Sequence, residues 1–153
     1  MDQLACSCGG VIAIDFKDPS APVVETVPFT LSSSGHSLCI IDTGSCHADL
    51  TDDYASIPRE MGIIASYFGQ EVLREVEKDD FLSALPALRQ TCGDRAVLRA
   101  MHFYQENDRA AAESQALLRR NSHAFLTLVN ESGQSSAQLL QNINIFVFFN
   151  TFP

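Results

Sequence analysis

Few side chains in this sequence could do chemistry, and they gather in two places. Asp2 stands at the start of MDQLACSCGG, and the segment 42–54 holds Asp42, His47, Asp49, Asp52, Asp53 and Tyr54. Taken alone, Asp2 reads as a helix-start carboxylate at a flexible terminus. Tyr54 taken alone reads as a half-buried aromatic where a helix begins. The four aspartates read first as turn and capping chemistry, and His47 as a loop hydrogen-bonding group. Cys6 and Cys8 form a C-x-C pair. Neither a second C-x-x-C nor an H-x₃-H accompanies it, so no zinc site is expected and the metal set is empty. Cys39 and Cys92 read as small buried hydrophobes. Cys46 and His47 are adjacent, a poor arrangement for a nucleophile and its base.

The elements that must position these groups follow from periodicity. Met1–Cys8 fits one or two helical turns stopped by Gly9-Gly10. Val11–Phe16 and Val23–Phe29 alternate like strands around the Lys17–Pro22 turn, a plausible antiparallel hairpin. Ser32–Gly35 is a polar connector and the expected domain boundary. Leu38–Ile41 reads as a third strand, delivering the polar loop from Asp42 at its C-terminal end, a common place for a ligand.

Past Tyr54 the period becomes 3.6. Met61, Ile64, Ala65 and Phe68 share a helix face, and the helix is expected to start near Pro58 because proline suits a first turn. A shorter element holds Val72, Leu73 and Val76. Phe81, Leu82, Leu85 and Leu88 make another stripe, with Pro86 as a kink or fresh start. Asp94 is expected to cap a helix from Arg95 to about Gln105, with an apolar face of Val97, Leu98, Met101 and Tyr104. Asn107 or Asp108 would open another over Ala110–Leu118, and Ser122 would cap one holding Phe125, Leu126 and Val129. Strands first and helices after point to an α+β fold. The uncharged end, Asn142–Pro153, crowds four phenylalanines among β-branched neighbours; it reads as a buried strand or as the product of a reading-frame error or a cut gene end.

Composition narrows the function. At 153 residues the chain is long enough for one domain or pieces of two, and 46% hydrophobic with 19% charged is ordinary for a globular protein. A net charge of −9 argues against nucleic acid or an anionic membrane surface as partner, since both call for clustered Lys and Arg. No run approaches the roughly 18 apolar residues of a membrane span. The N-terminus lacks the basic region of a cleaved signal peptide. Five cysteines without framework spacing suit a reducing cytosol, so a cytoplasmic location is expected.

Several segments together resemble galactokinases of the GHMP kinase superfamily. They are MDQ followed by ACSCGG and IDFKDP, then DTGSCHADLTDDYA, EVLREV, GDRAVLRAMHF and LTLVNESG. The resemblance runs from Met1 to about Asn142. It implies that Asp2 is the catalytic base toward the anomeric C1 hydroxyl of galactose, that Tyr54 packs on the sugar, and that ATP and Mg²⁺ serve the full-length family. It also implies residues 1–31 as the end of an N-terminal domain, 36–142 as part of a C-terminal domain, and 143–153 as a divergent tail. The family's phosphate-steadying arginine, its GEHxDY sugar motif, its glycine/serine-rich phosphate loop, its magnesium-binding glutamate and its glycine-rich third motif are absent from this sequence. Met1 matches an internal methionine of the family, so the expectation is a galactokinase fragment, inactive alone, with Asp2 and Tyr54 on a common surface. The alternative is a non-catalytic module that binds a sugar or a protein.

Overall fold

A computed structural model describes residues 2–30, 34–40 and 51–142. The expected roles of Asp42, His47, Asp49 and Cys46, and the tail 143–153, lie outside the described residues. The elements are α1 (Asp2–Cys8), β1 (Val11–Asp15), β2 (Val23–Val27), α2 (Thr51–Tyr67), a 3-10 turn (Leu73–Glu75), α3 (Lys78–Ser83), α4 (Leu85–Cys92), α5 (Asp94–Leu118) and α6 (Ser122–Ser135). The last runs on into a π-helical turn, Ser136–Leu140. The α+β class is therefore borne out: a two-stranded hairpin followed by helices.

α1 ends because Gly9 takes φ +67°, where its amide can turn back to the Ala5 carbonyl at 3.0 Å. The strands that follow pair antiparallel, from Val11 opposite Val27 to Asp15 opposite Val23. Their connection is an Asx-type turn: the Asp18 carboxylate accepts from the amide and the hydroxyl of Ser20 at 2.9 and 2.6 Å. A lone hairpin is marginal in water. This one leans on α5, and Arg74 fastens it, donating to Asp15 and to Asn107 of α5 at 2.9 Å each.

Residues 36–40 form no strand, a correction to the expected third one. Leu38 and Ile40 are 83% and 95% exposed, and Cys39 is exposed rather than buried. The described sheet is β1 and β2 alone, and a strand needs backbone hydrogen bonds from a neighbour as well as β-branched residues.

α5 is the central post, packed by α2, α4, α6 and the π-helical turn. The core joins Ile64 and Ala65 of α2, Phe81 of α3, Leu88 of α4, and Val97, Ala100 and Tyr104 of α5. Phe81 and Tyr104 stack at 5.0 Å between centroids. The Tyr104 hydroxyl donates to the carbonyls of Val76 and Leu73 at 3.0 and 3.3 Å, so its polar end is satisfied inside the core.

Four helical boundaries and two apolar faces differ from the sequence reading. α2 begins at Thr51, and Pro58 lies inside it, exposed to solvent, where its ring costs one backbone hydrogen bond. α5 runs unbroken for 25 residues, because Asn107 and Asp108 pair outward with Arg74 and Lys78 instead of capping. Asp94 is the first residue of α5 and pairs with Arg89 at 2.6 Å; Gly93, at φ +88°, makes the turn before it. Asn121 caps α6 in place of Ser122, accepting from the Ala124 amide at 3.0 Å. On α5 the buried stripe is Ala96, Val97, Ala100 and Tyr104, with Leu98 and Met101 only half-buried; on the α3–α4 stripe Leu82 is exposed. Pro86, by contrast, gives the fresh start at the head of α4, and Cys92 packs against the core.

Candidate functional site

Asp52 and Asp53 sit in the first turn of α2, where carboxylates offset the positive end of the helix dipole. Tyr54 follows, half exposed, and two residues on comes Ser56, buried because α5 crosses there. The next turn carries Glu60, 8% exposed, and opposite it α5 presents Arg95 and Arg99.

Arg99 is 4% exposed and makes three hydrogen bonds to its surroundings. Its Nη1 donates to Ser56 Oγ at 2.7 Å and to Glu60 Oε2 at 2.9 Å, and its Nε donates to the Leu140 carbonyl at 3.1 Å. Ser56 Oγ passes its own proton toward the Asp53 carbonyl at 2.6 Å. Arg95 reaches Glu60 from the wetter side, its Nε 3.0 and 3.1 Å from the two carboxylate oxygens and its Nη2 closer still to Oε1. Burial pushes the Glu60 carboxyl upward, but the Arg95 hydrogen bond and the nearby Arg99, Arg95 and Arg59 charges outweigh it and hold Glu60 below the usual range. The same contact raises the Arg95 guanidinium. A buried anion thus stands between two cations, the arrangement burial demands.

Beside this network lies a cavity of about 200 Å³. Asp53, Tyr54 and Ile57 line it from α2, Arg95 and Arg99 from α5, and Gln141 and Asn142 from the chain beyond the π-helical turn. Gln141 gets there by a left-handed backbone, φ 58°, its amide donating to the Ser136 carbonyl at 2.9 Å. The opening is smaller than the roughly 300–1,000 Å³ of sites for drug-sized ligands. One aromatic ring, one carboxylate, two guanidinium groups and two amides give it a donor and acceptor set suited to a small polyhydroxylated molecule.

Sequence reasoning found Tyr54 but missed Arg95, Arg99, Glu60, Gln141 and Asn142. The signal for Arg99 was its place on the Ala96, Ala100, Phe103 face, an arginine inside an apolar stripe. Asp2, the other expected site residue, opens α1, which packs on β1.

A second recess, sharing Ile57 with the first, includes His102, Glu106, Phe103 and Leu140. There the His102 Nδ1 lies 2.9 Å from Ser135 Oγ, and burial, with the Arg109 charge, pushes the imidazole down. Among the described residues no group of three or more His, Cys, Asp or Glu is placed to hold a metal ion. No helix among them is long and apolar enough to cross a membrane.

The chain is 32% identical over 120 residues to the galactokinase of Actinobacillus pleuropneumoniae serotype 5b (strain L20), covering 76% of this chain and 29% of that protein. It is 27% identical over 135 residues to the galactokinase of Glaesserella parasuis serovar 5 (strain SH0165), covering 88% and 34%. The chain thus spans about a third of the length of these curated relatives. No family model matches it, and no solved structure does.

Proposed function

We propose, for a chain that its sequence relates to the galactokinases, that the cavity beside Tyr54 is a galactose site and belongs to ATP-dependent phosphorylation of the sugar's C1 hydroxyl in galactose metabolism. The observation that carries this reading is the lining. A half-exposed tyrosine ring faces the same small space as Asp53, Arg95, Gln141 and Asn142. A pyranose offers a C–H face for the ring and hydroxyls for the polar groups. In this reading Asp2 is the proton acceptor for the attacking hydroxyl, and residues 1–31 and 36–142 are portions of two domains. The free thiols of Cys6, Cys8, Cys39 and Cys92 are compatible with the cytoplasm as its compartment.

ATP and Mg²⁺ would be the co-substrate and metal of the whole enzyme. The described residues offer no cluster fitted to the metal, so no step is routed through it. The chain alone is then a sugar binder without kinase chemistry. Galactose titrated into ¹⁵N-labelled chain should shift the Tyr54 amide with millimolar affinity, and Tyr54→Ala should abolish the response. No galactose-dependent shift would overturn the sugar reading. ADP release above background, lost on Asp2→Ala, would overturn the claim that the chain alone is inactive.

A further inference from the structure

We propose that Arg99 is the positioning residue of this cavity, the group that sets the distance between its two sides; this rests on the sugar reading above. Its geometry differs from that of an ordinary buried ion pair. One arm runs from Nη1 through Ser56 Oγ to the Asp53 carbonyl, by bonds of 2.7 and 2.6 Å. That carbonyl belongs to the peptide unit whose amide is Tyr54's. The other arm runs from Nε to the Leu140 carbonyl at 3.1 Å, and that peptide unit carries the amide of Gln141. Arg99 therefore grips the two backbone units that hold Tyr54 and Gln141, two residues of the cavity wall that come from different elements.

The rest of the surroundings makes this grip hard to replace. Glu60 fixes the guanidinium in its plane from a third direction, and Arg95 in turn fixes Glu60. Arg99 itself rises from the second turn of α5, the most heavily packed element, so it is a fixed reference for two less constrained segments. One of these is the first half of α2, ahead of Pro58. The other is the turn where π-helical geometry gives way to a left-handed residue. Lysine has one charged centre and cannot reach both arms, whereas the planar fork of arginine can.

The test uses Arg99→Lys, Ser56→Ala and, as a core control, Leu88→Val, all at a temperature where circular dichroism shows each fully folded. In sugar-free ¹⁵N–¹H spectra Arg99→Lys should move the amides of both Tyr54 and Gln141, and Ser56→Ala that of Tyr54 alone. Arg99→Lys should also raise the galactose Kd on the order of tenfold, the lower end of what disturbing an outer supporting shell costs at metal sites. Leu88→Val should leave that Kd unchanged. Unmoved amides in Arg99→Lys, or an equal loss of affinity in Leu88→Val, would overturn the assignment. If Arg99→Lys does not fold, Ser56→Ala decides: an unmoved Tyr54 amide sinks the first arm. Amide shifts in a chain whose wild type ignores galactose would support the grip of Arg99 and overturn the sugar reading instead.

Discussion

Replacing Glu60 by glutamine should cost about 3 kcal/mol, the lower end of the range for breaking one partner out of a buried ion pair. Glutamine keeps nearly the same shape, so packing is preserved and the charge alone is lost. What remains is Arg99, 4% exposed, with its cation facing only the neutral oxygens of Ser56, Leu140 and the new amide. Arg95 contributes little to the loss, because its side chain is 57% exposed and water replaces the partner. The lower end applies because that same wet flank screens Glu60. The control is Asp108→Asn, which breaks an ion pair with Lys78 whose side chains are 44% and 61% exposed, and should cost under about 1 kcal/mol. Urea unfolding followed by circular dichroism resolves the two. With a slope of about 2 kcal/mol per molar, the Glu60 variant should lose about 1.5 M from its midpoint. The pH dependence adds a second check. Glu60 is held below its ordinary value, so its contribution is present above about pH 4.5 and lost as pH falls through the folded pKa. Wild type and Glu60→Gln should converge in acid. A loss no larger than that of Asp108→Asn, or curves that stay parallel down to pH 3, would refute the reasoning.

Three further outcomes are expected. His102 has a lowered folded pKa, so its contribution is present above its ordinary value of 6.5 and fades as pH falls through the folded pKa; His102→Gln should flatten stability across that interval in urea melts at stepped pH. Tyr104→Phe should cost about 1 kcal/mol through the Val76 carbonyl it leaves without a donor, since the Leu73 carbonyl keeps the Val76 amide. Burial first, then the Glu77 charge, pushes the Tyr104 phenol up to about 12, so its stabilisation persists below pH 10 and disappears as pH rises through about 12, readable by ultraviolet absorbance. Leu38→Ser and Ile40→Ser should change stability by less than about 0.5 kcal/mol, since both side chains are in solvent; a loss above 2 kcal/mol would mean they pack as a strand after all.

Local punctuation was the legible part of this fold. Gly9, the turn around Asp18 and Pro86 each act within a few residues of themselves, and each does in the structure what its residue type foretells. The misread boundaries depend on partners far along the chain. Asn107 and Asp108 look like a helix start until Arg74 and Lys78, about thirty residues earlier, occupy them. Leu38 to Ile40 looks like a strand because sequence records side-chain preference and says nothing of a neighbour to bond with. Tyr54 was legible through a motif. Arg99, Glu60 and Gln141 were not, because a buried arginine makes sense only once a carbonyl, a hydroxyl and a carboxylate from other elements meet it.

Pro58 has a consequence for how α2 breathes. A helix propagates its resistance to opening from one amide to the next, and at Pro58 there is no amide to carry it. The turns from Thr51 to Ile57 should therefore open at a lower free energy than the turns that hold Ile64 and Ala65 in the core. Deuterium should enter the first set of turns at low opening free energy and the second only on global unfolding. Tyr54 rides on the turns that open easily, so this side of the cavity can yield to an arriving ligand while the core beneath it stays shut.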